Sequence, residues 1–249
     1  MRSAIGVALA VALFAQATGR PDVRLPAETA GWDNVVTTLL SVFDRADVLA
    51  LGEAHGRNVD AELRLRLVRH PEFVNRVQWI VVEDARSDYG GLRQAIDLIN
   101  LSSASQKLHV IVNETAGSAP NRNQFAIDAI RDRVSRGGKV LVVYGSGHVW
   151  HREGGITTAL DRLLPGRTFV AEVLAPVNVR STGREAQELD ASLKALEDTV
   201  SAPERPVLIL LRGTRAATLV ANPFYLGQAM LSPSTTIGDL DDACVYFGR

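Results

Sequence analysis

Two short motifs in this chain could do chemistry together. Gly52-Glu53-Ala54-His55 and Gly145-Ser146-Gly147-His148 share the form Gly-x-x-His, and each follows a short apolar run, 48–51 before the first and 140–144 before the second. A glycine at such a point lets the backbone turn sharply and approach another chain closely. The histidine three residues on is then aimed back over the end of the run. Two such histidines can work as a base and an acid on one substrate, or bind one metal ion. Glu53 lies inside the first motif, and Glu83 ends a further apolar run, 79–82. Either carboxylate could orient an imidazole and raise its basicity, or complete a site of two histidines and one carboxylate. The candidate catalytic residues are therefore His55, His148, Glu53 and Glu83, and the candidate metal ligands are His55, His148 and Glu83. The competing reading is that each histidine caps a helix end for structural reasons.

Other ionisable groups fall at similar places. Glu114 follows the apolar run 108–112, Glu172 interrupts the run 169–174, and Arg212 follows the run 207–211. A desolvated charge is costly unless it is paired or used, so charge at the ends of apolar runs is informative. Arg57 and Arg86 lie close enough to the motifs to bind an anionic transition state. His151, in the segment His148-Val-Trp-His151, could support the other histidines from behind, whereas His70 and His109 read as structural. Ser146 lacks the Gly-x-Ser-x-Gly elbow and is not read as a nucleophile. Neither a Gly-x-Gly-x-x-Gly fingerprint nor a P-loop is present.

The apolar runs read as buried strands, and the segments between them read as helices. Trp32, Val35, Val36, Leu39, Leu40 and Phe43 recur with helical spacing. Further helices are expected after Asn58, over 89–101, from Asn121 or Asn123 to the stop at Gly137-Gly138, over 156–164 and over 184–199. Buried strands alternating with helices predict a single α/β domain, with a mainly parallel sheet of about six strands and helices on both faces. The segment 239–249, with Cys244, Val245, Tyr246 and Phe247, is a candidate last strand. Ligands of open parallel sheets bind beyond the carboxyl ends of the strands, which is where both Gly-x-x-His motifs fall.

Composition narrows the function classes. The 249 residues carry a net charge of −1, with 46% apolar and 22% charged residues, as expected for a folded globular chain. With no basic excess, a nucleic-acid partner is not expected; a small-molecule or peptide substrate is. One cysteine, Cys244, allows no internal disulfide. Residues 1–17 read as a signal peptide: a basic start, an apolar run over 4–15 and the small-x-small site Ala15-Gln16-Ala17. This predicts a secreted or periplasmic protein with no integral membrane segment after cleavage. Residues 18–30 read as a polar linker, and 31–249 as the domain.

The run Leu51-Gly-Glu-Ala-His-Gly56, the strand-ending Glu83 and Gly145-Ser-Gly-His148 together resemble the EreA/ChaN-like superfamily. That group holds the erythromycin esterases, the ChaN haem-binding lipoproteins and the Tiki/TraB proteases. The resemblance spans roughly residues 47–174, and 241–248 is similar to the family's final strand. It implies hydrolysis of an ester or amide bond, with His55, His148 and Glu83 in a metal-dependent site as in the Tiki branch. In the esterase branch, the equivalent of His55 would activate water without metal. The macrolide esterases carry an extra residue between the Glu and the His and longer helical inserts, for which this chain offers only 84–122. The ChaN branch implies an alternative, haem or iron binding, for which Tyr89 is the candidate ligand. A further alternative is a catalytically inactive member.

Overall fold

The structure is a computed structural model and describes residues 20–83, 90–102, 107–113, 119–176, 183–221, 224 and 231–248. In chain order the elements are β1 (Glu28–Ala30), α1 (Trp32–Ser41), a 3-10 turn (Val42–Asp44), β2 (Val48–Glu53), α2 (Asn58–Arg69), α3 (Phe73–Arg76), β3 (Trp79–Val82), α4 (Gly90–Ser102) and β4 (His109–Val112). There follow α5 (Ala119–Ser135), β5 (Val140–Gly145), α6 (Ser146–Val149), α7 (Ile156–Leu163), β6 (Thr168–Leu174), α8 (Arg184–Glu197), β7 (Val207–Leu210), a second 3-10 turn (Ala216–Thr218), α9 (Ile237–Leu240) and β8 (Ala243–Tyr246).

The eight strands form one sheet in the order β1-β7-β8-β6-β2-β5-β3-β4. From β8 to β4 every pairing is parallel, and β7 runs antiparallel to both β1 and β8. The α/β class and the mainly parallel sheet are as expected. The strand count is eight rather than about six because β8 joins beside β6 and β1 pairs with β7. β1 lies inside the segment expected to be a linker. That segment is attached to the domain: the Arg20 guanidinium donates to the carbonyls of Gly238 (3.0 Å) and Asp239 (2.9 Å), and Val23 is buried. Residues 1–17, read as a signal peptide, lie outside the described residues. Among the described residues, no helix is long and apolar enough to cross a membrane.

Alternation along the strands divides the core into two layers. Leu49 and Leu51 of β2, Ile80 and Val82 of β3 and Leu141 and Val143 of β5 face a cluster with α1, α2 and α4. Val48, Ala50, Val81, Val140, Val142 and Tyr144 face the opposite cluster with α5 and α7. β2 and β5 are adjacent and in register, yet their chains leave the sheet toward opposite layers. After β2 the chain enters α2, whose Leu63 and Leu67 belong to the first cluster; after β5 it enters α6 and α7, whose Val149, Ile156 and Leu160 belong to the second. Diverging connections open a crevice at the carboxyl end of such a strand pair. Both Gly-x-x-His motifs begin there.

Candidate active site

Gly145, the last residue of β5, is where the site converges. A methyl group on its Cα would stand 3.2 Å from Glu83 Oε2, 3.2 Å from His55 Nε2 and 3.7 Å from His148 Cδ2. Three of the four candidate catalytic side chains therefore meet over one glycine, and a β-carbon there would crowd all three. The glycine is present because functional groups occupy the space a side chain would take. Gly145 also sits directly opposite Glu53 in the β2–β5 register.

His55 lies in the turn after β2, and its side chain is 52% exposed. Its Nδ1 lies 3.1 Å from Glu53 Oε1. A carboxylate only accepts, so Nδ1 carries the proton and Nε2 is turned toward Glu83, 3.6 Å from its Oε2. Glu53 is buried and follows Leu49 and Leu51 toward the α2 layer, where Arg64 forms an ion pair with its other oxygen. The sequence contains no separate cue for Arg64 beyond its place on the inner face of α2.

His148 lies on the single-turn helix α6, edge-on to the Tyr144 ring. Its Nδ1 is 2.6 Å from Asn123 Oδ1, while the Asn123 amide nitrogen donates to the Gly154 carbonyl at 2.8 Å. That second bond identifies Oδ1 as the acceptor, so His148 carries its proton on Nδ1. Its Nε2 faces Glu83 Oε1 at 3.3 Å. Burial pushes the His148 pKa down, and the positive charges of Arg122 and Arg152 act the same way, against the pull of Glu83.

Glu83, immediately beyond β3, is the hub. Its Oε1 accepts from Arg122 at 2.8 Å and its Oε2 accepts from the Gly145 backbone N–H at 2.8 Å. Arg122 and Asn123 are adjacent on α5, so one helical turn supplies the partner of Glu83 and the partner of His148. The sequence places the start of this helix at Asn121 or Asn123; α5 instead begins at Ala119 and carries both within its body. Arg122, Asn123 and Arg64 are the site residues that motif reading did not single out. No motif links them to the histidines, since each comes from a different helix position and is brought in by packing.

The remaining candidates separate cleanly. Glu172 is buried opposite Gly52, where a β-carbon would overlap its carboxylate, and it contacts Ser146 Oγ. Arg57 is not available to an anion as expected. It is buried, paired with Asp60, and donates to the carbonyls of Val173 (2.7 Å) and Ala175 (3.4 Å), tying the β2 turn to the end of β6. His151 is buried rather than a support for His148: Asp161 and Asp242 hold its two nitrogens at 2.9 and 3.0 Å. His70 ends α2 and accepts from the Glu72 N–H, and His109 stacks on Trp79, both structural as expected. Cys244 is buried in β8, and Arg212 is exposed beyond β7. Tyr89, Arg86 and Glu114 lie outside the described residues.

Among the described residues, no group of three or more His, Cys, Asp and Glu side chains is gathered as a cage around one ion. Both Glu83 oxygens are already engaged by Arg122 and the Gly145 N–H. The arrangement as it stands is a set of hydrogen-bonded acids and bases: one half-exposed imidazole with a buried carboxylate behind it, a second imidazole, and a carboxylate with its own guanidinium. No family model matches the chain, and neither a curated protein nor a solved structure matches it.

Proposed function

We propose that the chain is a secreted or periplasmic hydrolase of the EreA/ChaN-like type, which cleaves an ester or amide bond by activating water on His55. The carrying observation is the convergence of His55, His148 and Glu83 over Gly145, with each imidazole held at Nδ1 by a separate partner. His55 is the base because it is half-exposed while Glu53 and Glu83 are buried. Glu53 fixes its tautomer, so the Nε2 lone pair is left on the Glu83 side of the ring to take a proton from water. The imidazolium formed in that step lies between two carboxylates, Glu53 at Nδ1 and Glu83 at Nε2, which stabilise it. The same Nε2–H then protonates the leaving group. His148 faces Glu83 Oε1 through its Nε2 and holds that carboxylate beside His55. Arg122, about one-third exposed, brings a guanidinium to the rim for the oxyanion that forms on the substrate carbonyl.

Loss of a general base typically costs about a hundred- to ten-thousand-fold in rate. His55→Ala is expected to fall in that range against a panel of ester and peptide substrates, and His148→Ala to fall with it, both with native circular dichroism. Full residual turnover in either variant overturns the reading.

A divalent ion is the second reading, favoured by one observation. Metal-ligating histidines donate their other N–H to an outer partner, and both rings here do so. His55, His148 and Glu83 would hold the ion. The Nε2-to-carboxylate separations of 3.6 and 3.3 Å bracket the roughly 3.4 Å between ligands of a tetrahedral site with bonds of about 2.1 Å. When bound, such an ion supplies a Lewis acid and a water of lowered pKa. Its competitor on this chain is Arg122, which must leave Glu83 Oε1. Thermal unfolding with manganese, cobalt and zinc tests this: a midpoint raised in the wild type and not in His148→Ala supports it. An unchanged midpoint with all three ions removes it.

A further inference from the structure

Beneath the histidines lies a group that the proposed chemistry does not use. Glu172 sits in the middle of β6, directly opposite Gly52 of β2, and is 1% exposed. Its carboxyl group fills the space that any side chain at 52 would take. One oxygen contacts Ser146 Oγ; the other is buried with no hydrogen-bond partner among the described residues. Ser146 opens α6, two residues before His148, and its Oγ also lies 3.1 Å from the backbone carbonyl of Glu53, two residues before His55.

Proton counting decides the state of this cluster. A serine hydroxyl has one proton to give. The Glu53 carbonyl can only accept. If Glu172 were a carboxylate it too could only accept, and two acceptors would compete for one proton while a charge stood buried. If Glu172 carries a proton, both contacts of Ser146 are satisfied. The surroundings agree: burial and the neighbouring Asp241 charge push the Glu172 pKa well up, against the opposing effects of Ser146 and Arg57.

We propose that Glu172 is a positioning residue that works as a neutral carboxylic acid. Its O–H donates to Ser146 Oγ, and the Ser146 O–H donates to the Glu53 carbonyl, so that one chain of hydrogen bonds clamps the turn bearing His55 to the turn bearing His148. The clamp explains the glycine at 52, which no catalytic role requires. It also gives Ser146 a task that is not nucleophilic. A neutral donor suits this position because a further buried negative charge beside Asp241 and Asp60 would be costly. The effect on turnover rests on the hydrolase reading; the position of the proton does not.

Three variants of the full chain test it: Glu172→Gln keeps a donor of the same shape, Glu172→Met keeps volume without a donor, and Ser146→Ala removes the relay while leaving the acid. The infrared difference spectrum of wild type minus Glu172→Gln at neutral pH is expected to contain the C=O stretch of a protonated carboxyl. Hydrogen exchange is read at the amides of Ala54, Arg57 and Gly145, which bond to Asp60, Ala54 and Glu83 respectively. Exchange at these amides is expected to rise about tenfold in Glu172→Met and Ser146→Ala, the scale of one lost hydrogen bond, and to stay at the wild-type rate in Glu172→Gln. Where a substrate is turned over, kcat is expected to fall about tenfold in the same two variants, with KM little changed and Glu172→Gln rescued. Carboxylate bands in place of the acid band overturn the proposal. So does a Glu172→Gln variant as impaired as Glu172→Met, or wild-type exchange in Ser146→Ala. If Glu172→Met fails to fold, the other two variants and the infrared measurement still decide. A wild-type chain that hydrolyses nothing yet has the acid band and the exchange pattern refutes the hydrolase reading and supports the clamp.

Discussion

Raising the pH through 9 should strip a proton from His151 and remove a definable share of the fold's stability. The ring is buried, with 6% of its side chain exposed, and its two nitrogens face Asp161 Oδ2 at 2.9 Å and Asp242 Oδ2 at 3.0 Å. Both partners accept, so both nitrogens donate, and the ring is an imidazolium. Burial opposes that charge, as does Arg20 beside Asp242, but the hydrogen bonds to Asp161 and Asp242 outweigh both and push the pKa up to about 9. The unfolded value is about 6.5. Because the folded value is the higher one, the stabilisation is fully present below about pH 6.5 and is lost as pH rises through about 9. Its size is the difference of about 2.5 in pKa multiplied by 1.36 kcal/mol, or roughly 3 kcal/mol. For a chain of this length each kcal/mol moves the midpoint by about 2–4 °C, so the change is on the order of 10 °C. The assay is thermal unfolding by near-ultraviolet circular dichroism from about pH 6 to pH 10, with the wild type beside His151→Gln, which cannot be charged. The wild type should be the more stable by roughly 3 kcal/mol at the acid end, and the gap should close at the alkaline end. A gap that is constant across the range, or that widens with pH, refutes the assignment of an imidazolium.

Other predictions concern the supports of the site. Arg64→Met strands the buried Glu53 carboxylate and should cost about 3–5 kcal/mol in urea unfolding; a loss under 1 kcal/mol would mean that Glu53 is solvated some other way. Asn123→Ala frees the His148 ring and should lower turnover about ten- to a hundredfold, the scale for an outer partner of a functional histidine, while unaltered kinetics would show that the ring needs no such partner. Gly145→Ala places a methyl 3.2 Å from both His55 Nε2 and Glu83 Oε2. Its expected signature is impaired turnover with near-native stability, and a variant with full activity would show that the three side chains do not need this close approach.

Much of the frame was legible in the chain. The apolar runs that end in Glu53, Glu83 and Gly145 are strands because each is short, continuous and buried on both faces, as a central parallel strand must be. The two Gly-x-x-His motifs pointed to one place because ligands collect at the carboxyl edge of such a sheet. One short strand was harder to read. β1 has only three residues and owes its existence to pairing with β7, so its segment resembled a linker until the partner strand was in place. Arg57 and His151 were misjudged for a related reason. A charged residue in a turn reads as available, yet Arg57 is buried beneath the Val173 and Ala175 carbonyls, and His151 lies between two carboxylates drawn from distant positions.

The sequence by itself determined the fold class, the strand ends and the types of group that meet there, because periodicity and glycine placement are local properties of the chain. Only the tertiary structure decided which nitrogen of each histidine faces the crevice. That choice belongs to Glu53, Asn123 and Glu83, with Arg64 and Arg122 behind them, and these come from β2, α5, the end of β3 and α2. Hydrogen bonds are short-ranged and directional, so the partner that fixes a proton must be within about 3 Å. No spacing along the chain specifies that distance across strands and helices packed from opposite sides of a sheet.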